Sequence, residues 1–333
     1  MIASPLFETS IVSSEVSRPV QHGSSIVEFA DNSLLVSWYA GSAEAARDSR
    51  ILCRRSFNGG KTWEPTEIAV GQGERAKEAW FANKAVGNTV LFQDWPKSLW
   101  LIYGSVTFGG WSDAHVDYKT SRDNGRTWSE SHRLTSGYGD LPRSKPVELR
   151  EGVFLPLSHS AWRQYAALLI VYRGKMMRTD YFAMPGTEFS HPALVADGEN
   201  VLAFLRARGK GKLQIASFNV QKRAWGKPSP TNVANPDSPV DALRLVDSRI
   251  LLAANDDVKA RNPLSIFLSE DDGRTFRKLR DIENERGEEF SYPAFIGARD
   301  GTFYLSYTWH KRAAIKVAHF NAEWLGLAPV TTP

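Results

Sequence analysis

The sequence has a single cysteine in 333 residues, no dense run of lysine or arginine, and no long apolar stretch. One thiol, Cys53, excludes an internal disulfide framework. The net charge of +4 is too thinly spread to indicate a nucleic-acid partner. The first residues have neither a basic n-region nor an apolar h-region, and no segment is apolar enough to span a membrane. We therefore expect a cytoplasmic protein without nucleic-acid or membrane partners.

Signals for metals and cofactors are also missing. The seven histidines are scattered, and no spacing of His, Cys and carboxylate residues indicates a zinc site. There is no Walker or dinucleotide motif, and Gly209-Lys-Gly-Lys212 is too short for a phosphate loop. The acidic residues at 256–257 and 270–272 fit turns better than calcium ligands. The sequence predicts neither a metal nor a cofactor.

A repeated turn is the clearest positive feature. Residues 121–128 have the pattern S-x-D-x-G-x-T-W, in which Asp123 can form the turn and Gly125 can adopt a positive φ. Residues 56–63 and 269–276 are near copies, and residues 217–225 are a worn copy without the glycine. Residues 178–180 are interpreted as a remnant. A repeat of this kind decides the fold class.

Six apolar hairpins accompany these turns, and no convincing amphipathic helix longer than two or three turns is present. The hairpins turn near residues 31, 96, 151, 197, 247 and 300, at spacings of about 50 residues that suit four-stranded propeller blades. Residues 165–171 fit either a helix or a buried strand. We predict one domain over residues 1–333, in which an N-terminal arm of residues 1–21 closes the ring with the C-terminal strands.

The turns resemble the Asp-boxes, or BNR repeats, of bacterial sialidases, and the hairpin series resembles their six-bladed propeller. The similarity covers nearly the whole chain. It looks closest to the sialidase-like (exo-α-sialidase domain) group that carries Ser-Tyr-Pro-Ala followed by Tyr-Thr-Trp, here residues 291–294 and 307–309. The resemblance implies an all-β, six-bladed, sialidase-like β-propeller with Asp-box turns.

In a propeller, the starts of the innermost strands and the ends of the second strands converge on one mouth of the central channel. The predicted strand starts are His22, Asn83, Lys145, His191, Asp241 and Tyr292. The predicted second-strand ends are Glu44, Thr107, His159, Arg206, Asn255 and Trp309. Because packing alone does not explain polar residues at one end of so many apolar strands, we interpret this end as a functional mouth.

Sialidases bind the substrate carboxylate with three arginines, and bidentate guanidinium groups suit that anion. By resemblance, Arg206 and Arg261 match the second and third arginines. His22 occupies the place of the first, and Arg18 lies four residues upstream. A histidine is fully charged only below a pKa near 6.5, so either Arg18 reaches the site or the ligand differs from sialic acid.

The sialidase nucleophile is a tyrosine, and Tyr292 has the spacing that the resemblance implies. A phenol needs a neighbouring base, for which Glu188 is the nearest match, although His191 is an alternative occupant of that place. The acid/base residue is expected on the loop of residues 41–50, which offers Glu44 and Asp48. Trp80, Trp111 and Trp162 fall on predicted mouth loops, where they could stack on a sugar.

The leading hypothesis is a sialidase-like exo-glycosidase that acts on an anionic, carboxylate-bearing sugar or glycan. A second hypothesis is a polysaccharide lyase that acts on a uronic acid, with His22 and Tyr292 as base and acid. The third is a non-catalytic propeller that binds carbohydrate or protein.

Overall fold

The computed structural model describes residues 4–13, 18–94, 98–172, 177–209 and 211–328. Their regular structure is 26 strands and one 3-10 turn, Trp111–Asp113, without an α-helix in these ranges. Within them no helix is long and apolar enough to cross a membrane. The strands form six antiparallel sheets, which confirms the predicted all-β, six-bladed propeller.

The first three blades follow one another along the chain. Blade one contains β2 (Val20–Glu28), β3 (Leu34–Gly41), β4 (Arg50–Ser56) and β5 (Glu67–Val70). Blade two contains β6 (Ala85–Asp94), β7 (Ser98–Val106), β8 (Ala114–Ser121) and β9 (His132–Arg133). Blade three contains β10 (Asp140–Pro142), β11 (Val147–Leu149), β12 (Gly152–His159), β13 (Tyr165–Tyr172) and β14 (Arg178–Ala183). Its inner strand is interrupted, because β10 and β11 both pair with β12.

The other three blades complete the ring. Blade four contains β15 (Phe189–Asp197), β16 (Asn200–Ala207), β17 (Lys212–Asn219), β18 (Ala224–Trp225) and β19 (Ser229–Ala234). Blade five contains β20 (Asp241–Arg244), β21 (Ile250–Asn255), β22 (Leu264–Ser269) and β23 (Arg277–Glu283). Blade six contains β24 (Ser291–Gly297), β25 (Phe303–Trp309), β26 (Ala314–Phe320) and, as its outer strand, β1 (Phe7–Ser13). The pairing of β1 with β26 joins the two ends of the described chain.

Two local predictions are resolved by these bounds. Residues 165–171, which fit either a helix or a strand, lie in β13, where the apolar side chains pack between blades two, three and four. The interpretation of residues 178–180 as a turn remnant was wrong. They belong to β14, because Arg178 and Asp180 pair in register with Tyr172 and Ile170 of β13.

The apolar core is divided into six layers, one at each boundary between neighbouring blades. The layer between blades five and six, for example, joins Leu251 and Ile266 to Phe295 and Leu305. The layer between blades six and one includes Val12 of β1, so the N-terminal strand contributes to the closing interface. Each blade thus buries both of its faces against neighbours, as the near-continuous apolar hairpins require.

The three Asp-boxes connect the third strand of a blade to the fourth, in blades one, two and five. In blade two, Ser121 Oγ donates to Asp123 Oδ1 at 2.7 Å and accepts from Gly125 N at 2.8 Å. Asp123 accepts from Thr127 N at 2.9 Å and from Thr127 Oγ1 at 2.6 Å. The turn at residues 269–276 repeats these bonds. The polar positions of the repeat are therefore held by the turn itself.

The aromatic residue that ends each turn packs against the preceding blade. Trp128 lies on the layer between blades one and two, and Trp63 on the layer between blades six and one. Phe276 is buried between blades four and five. In the worn copy, Trp225 packs between blades three and four and donates from Nε1 to Phe182 O at 3.1 Å. An Asp-box therefore stabilises an interface between blades as well as a turn.

The glycine of the box should be needed for packing as well as for its backbone conformation. Gly273 has φ +80°, and a Cβ there would lie 2.6 Å from Phe204 Cζ of blade four. Gly198 also has a positive φ, +59°, but a Cβ there would meet no atom within 4 Å. Because only the first site adds overpacking, Gly273→Ala should lower the free energy of unfolding by about 1–3 kcal/mol more than Gly198→Ala. Urea denaturation of both variants measures this difference, and equal losses would contradict it.

Candidate functional site

Bulges near the start of four inner strands shape the mouth. The pairing of the first two strands shifts register at this point in blades one, two, four and six. The bulges contain residues with positive φ, namely Gly23 (65°), Asn88 (46°), His191 (45°) and Tyr292 (57°). His191 and Tyr292 both precede a proline, which normally holds its neighbour in extended conformations. A non-glycine residue held at such a φ value costs about 1–3 kcal/mol of conformational strain, and such residues occur preferentially at functional sites.

Tyr292 is 8% exposed and lies among basic side chains from several blades. Its ring centroid is 4.1 Å from that of His22 and 6.0 Å from that of His191. The Cζ atoms of Arg143 and Arg261 lie 5.0 and 5.7 Å from the centre of the tyrosine ring. Arg206 and Arg312 also interact with Tyr292. We call this group the Tyr292 cluster; its members are Tyr292, His22, His191, Arg143, Arg206, Arg261 and Arg312.

Three arginines of the cluster have carboxylate partners. Arg206 Nε donates to Asp237 Oδ1 at 2.5 Å, and Arg261 Nη1 donates to Glu289 Oε1 at 3.3 Å. Arg261 Nη2 also donates to the main-chain oxygen of Asp237 at 3.2 Å, so these two arginines share a neighbour. Arg312 pairs with Glu44. Because their partners hold the guanidinium groups in place, the groups are pre-organised to bind an anion.

Arg143 is almost fully buried and is bound differently. Its Nη1 donates to Ser24 O of blade one at 3.1 Å, and its Nη2 donates to Pro293 O of blade six at 2.8 Å. Both bonds go to main-chain carbonyls. The nearby carboxylate of Asp241 accepts from Lys145 Nζ at 2.8 Å and from the main-chain nitrogen of Phe295 at 2.7 Å. The two positive charges of Arg143 and Lys145 thus exceed the single negative charge of Asp241 by one.

The two histidines of the cluster are neutral at pH 7. Burial, followed by the charge of Arg312, lowers the pKa of His22 well below its ordinary value. Burial, followed by the charge of Arg206, does the same to the pKa of His191. His22 Nδ1 lies 2.8 Å from Thr308 Oγ1, and His191 Nδ1 lies 3.3 Å from Arg206 Nη1. Because His22 carries no charge, it cannot replace an arginine as a cation for a carboxylate.

Several buried polar atoms at the mouth have no hydrogen-bond partner within the part of the chain that the structure describes. They are His22 Nε2, both side-chain amide atoms of Asn83, Ser190 Oγ, Ser238 Oγ and Asn255 Oδ1. A buried polar group without a partner costs about 1–3 kcal/mol and is rare in native proteins. Bound ligand or ordered water would satisfy these atoms.

The structure brings many of the predicted site residues together. Tyr292, His22, His191, Arg206 and Arg261 all belong to the Tyr292 cluster. Lys145 and Asp241 form an ion pair beside Arg143. Glu44 lies at the rim, where it pairs with Arg312 and accepts from Trp111 Nε1 at 3.0 Å. The Glu44 side chain is partly exposed.

Other predicted residues have different surroundings. Asp48 closes its own loop, because its carboxylate accepts from the main-chain nitrogen and hydroxyl of Ser42. Arg18 lies close enough to Asp48 for an electrostatic interaction between the two side chains. The Trp309 ring stacks on His310, with centroids 3.2 Å apart, and packs against the layer between blades five and six.

Two further predicted residues are described by main-chain hydrogen bonds. The main-chain nitrogen of Asn83 donates to Glu74 O at 2.8 Å. The main-chain oxygen of Glu188 accepts from Arg208 N at 3.0 Å. Their roles in a site remain predictions that rest on their positions in the strand pattern.

Sequence reasoning missed Arg143 and Arg312. Arg143 lies in the interruption between β10 and β11, two residues before the Lys145 position that the strand pattern selected. Arg312 follows Trp309, where the chain has three successive residues with positive φ, at positions 310–312. The main-chain oxygen of Arg312 accepts from Gln21 N at 2.8 Å, which places Arg312 beside the start of β2 and near His22. The basic run His310-Lys-Arg312 was the available signal for this arginine.

The neutral histidines predict a specific pH dependence of stability. Their pKa values are lowered on folding, so below about pH 6.5 the unfolded chain binds more protons than the folded chain. Stability should be complete above that pH and should fall as the pH drops towards the folded pKa values. Each histidine can contribute at most about 1.4 kcal/mol per pH unit.

Urea denaturation between pH 7.5 and pH 5 tests this dependence. The slope should be shallower for His191→Gln than for the wild-type protein. The matched control is His132→Gln, because His132 pairs with Glu78 at the surface and lies outside the cluster. An unchanged slope in His191→Gln would show that folding does not lower the pKa of His191.

Comparisons with known proteins agree with this architecture. The family model described as BNR repeat-like domain matches residues 32–305. No curated protein matches the chain. The intramolecular trans-sialidase of Ruminococcus gnavus, solved with oseltamivir carboxylate, has a TM-score of 0.74 at 13% identity. The match covers 96% of this chain and 98% of that one.

Two further solved structures are similar. The leech intramolecular trans-sialidase, complexed with 2,7-anhydro-Neu5Ac, has a TM-score of 0.77 at 11% identity over 95% of this chain and 70% of its own. The α-L-arabinanase of Penicillium chrysogenum, complexed with arabinobiose, has a TM-score of 0.71 at 12% identity over 98% and 100%. At these identities the likeness shows the propeller fold alone. Because the family model matches most of the chain and the fold is the one that its repeats predict, the chain belongs to the BNR repeat-like domain family.

Proposed function

We propose that the protein is a sialidase-like exo-glycosidase that acts on a carboxylate-bearing sugar at the propeller mouth. The observation that carries this proposal is the position of Tyr292, a potential nucleophile, among four guanidinium groups from different blades. The ligand carboxylate would bind Arg206, Arg261 and Arg312, which their own carboxylate partners already hold in place. In this proposal Arg312 is the remaining carboxylate-binding cation, a role that was expected of His22 or Arg18.

In this reaction the Tyr292 oxygen attacks the anomeric carbon and the bond to the leaving oxygen breaks. The phenol proton goes to a base, for which His22 is suited by position, since its ring is adjacent and its Nε2 has no partner among the described residues. Glu188 is the base that the sialidase resemblance implies. Glu44, at the rim, donates a proton to the leaving oxygen and later accepts one from the attacking water. The surrounding guanidinium groups stabilise negative charge on the phenol oxygen as it forms.

Replacement of the nucleophile tests the reaction directly. Tyr292→Phe should lower kcat by at least about 10³-fold, because it removes the attacking oxygen but keeps the ring. Turnover can be followed with 4-methylumbelliferyl glycosides of sialic, glucuronic and galacturonic acids. The unfolding midpoint should stay close to that of the wild-type protein. Wild-type turnover in a folded Tyr292→Phe variant would refute the assignment.

The preference for an acidic sugar can be tested with a matched pair of arginines. Arg261 and Arg244 have side chains that are each 18% exposed, and both form ion pairs, but Arg244 pairs with Asp197 and Asp272 away from the Tyr292 cluster. Arg261→Met should lower kcat/KM for the acidic glycoside by about 10- to 100-fold, the value of one charge-assisted hydrogen bond. Arg244→Met should leave kcat/KM unchanged. A wild-type preference for neutral glycosides would contradict the proposed carboxylate site.

The position of His22 also favours a second candidate, a lyase that acts on a uronic acid. A neutral imidazole with an unpartnered nitrogen, next to a tyrosine hydroxyl, is an arrangement suited to removing the proton α to a carboxylate while an acid protonates the leaving oxygen. Arginines would neutralise the carboxylate in this reaction too. Incubation with uronic-acid oligosaccharides separates the two reactions, because β-elimination forms an unsaturated, ultraviolet-absorbing product and hydrolysis does not.

A further inference from the structure

A cavity lies outside the Tyr292 cluster, between blades two and three. Its volume is about 940 Å³, and we call it the side cavity. Its lining includes Thr107 after β7, Asp140 at the start of β10 and His159 at the end of β12. These positions belong to the mouth face, so the side cavity opens on the same face as the cluster. None of the cluster residues lines it.

Exposed aromatic side chains form one wall of the side cavity. Trp80 is 90% exposed, Phe81 58%, Phe108 66% and Tyr138 60%. The rings of Phe81 and Phe108 pack edge to face, with centroids 4.9 Å apart, which fixes their orientation. Large aromatic rings left in water around a concave site are unusual for a surface without a ligand. They present flat apolar faces of the kind that stack on the C–H face of a sugar ring.

The opposite wall carries hydrogen-bonding groups that contact one another. Asp140 Oδ1 lies 2.9 Å from His159 Nδ1 and accepts from the Tyr181 hydroxyl at 2.9 Å. The Tyr165 ring stacks on His159 with centroids 4.4 Å apart. His115 is only 5% exposed and lines the side cavity, and its Nδ1 has no hydrogen-bond partner in the described ranges. Such a buried, unpaired nitrogen indicates that a polar ligand atom or water completes the site.

The charged residues of the side cavity are paired within the protein. Arg133 Nε donates to Asp117 Oδ1 at 3.0 Å, and Glu78 accepts from the main-chain nitrogen of Arg133 at 2.8 Å and contacts His132. This contrasts with the Tyr292 cluster, where cations are in excess around Arg143. The third charged group, Asp140, is engaged by His159 and Tyr181. Arg133 is the one Lys or Arg among the described residues that line the side cavity, so no unpaired cation is offered to an anionic ligand, and the side cavity suits a neutral polar one. Its volume is near the upper end of the range of about 300–1,000 Å³ for small-molecule sites, which is more than one sugar ring needs.

From these observations we propose that the side cavity binds a neutral oligosaccharide of two or more rings. The sugar faces stack on Trp80 and Phe81, and the hydroxyl groups bond to His115, Tyr181 and the His159–Asp140 pair. This site goes beyond the proposed function, because its residues are separate from the Tyr292 cluster and binding there requires no turnover.

Isothermal titration calorimetry tests the proposal on the full chain that carries Tyr292→Phe, which prevents turnover of the probes. The probes are neutral arabino-, xylo-, cello- and galacto-oligosaccharides of one to five residues. At least one series should bind, and its affinity should rise from one residue to three. Phe81→Ala and Trp80→Ala should each weaken binding by about tenfold, the value of a stacked ring.

The matched control is Phe57→Ala. Phe57 is 57% exposed, almost the same as Phe81, but it belongs to the Asp-box of blade one at residues 56–63. Phe57→Ala should leave the affinity unchanged, and Tyr181→Phe should reduce it in a protein that remains folded. The proposal is overturned if no neutral series binds, if Phe81→Ala binds like the parent protein, or if Arg261→Met removes the binding. The last result would place the sugar in the Tyr292 cluster instead. Failure of the proposed glycosidase would appear separately, as absent turnover in the wild-type protein.

Discussion

The guanidinium of Arg143 is the interaction on which the centre of the propeller depends. It starts in blade three and reaches main-chain carbonyls of Ser24 in blade one and Pro293 in blade six, so it links blades that are not all neighbours. A buried cation bound only to carbonyls imposes a positive field on everything next to it. Burial is the main reason that the pKa values of His22 and His191 are lowered; the charges of Arg312 and Arg206, respectively, come next, and the field of Arg143 adds to them. The same field makes the surroundings of Tyr292 favourable for an anion.

The Asp-boxes and the mouth lie at opposite ends of the strands and are built differently. At the box end, the turns use their polar side chains internally and place Trp128 or Phe276 in the layer shared with the preceding blade. At the mouth end, bulges and positive φ values hold His191 and Tyr292 in costly backbone conformations. The packing energy of six apolar layers offsets this strain. This explains why the repeat identifies the fold but contains none of the residues around Tyr292.

The fold was predictable because its signals are local, whereas the site was only partly so. The turn at residues 121–128 and the apolar hairpins each specify their own structure, and repetition then fixes the number of blades. Tyr292 and Arg206 were found because they occupy regular ends of strands. Arg261 lies between β21 and β22 and was found by its resemblance to the third sialidase arginine. Arg143 was missed because it lies where the inner strand of blade three breaks, and a break removes the periodicity that such reasoning uses. Which distant side chains meet at the propeller axis depends on how the six blades close into a ring. No local sequence pattern contains that information.

Arg312 links the two halves of the proposed reaction. It pairs with Glu44, the proposed acid, and it acts on both Tyr292 and His22. An arginine that already holds a carboxylate binds a second one by sharing its donors, and each anion then weakens the hold on the other. Under the proposed function, a substrate carboxylate at Arg312 would therefore loosen the contact between Arg312 and Glu44 and leave Glu44 free to reach the leaving oxygen. In this proposal His22 occupies the place where the sialidase resemblance implies an arginine, and it is neutral. Arg312, at the end of blade six, must therefore bind the substrate carboxylate while it also contacts Glu44.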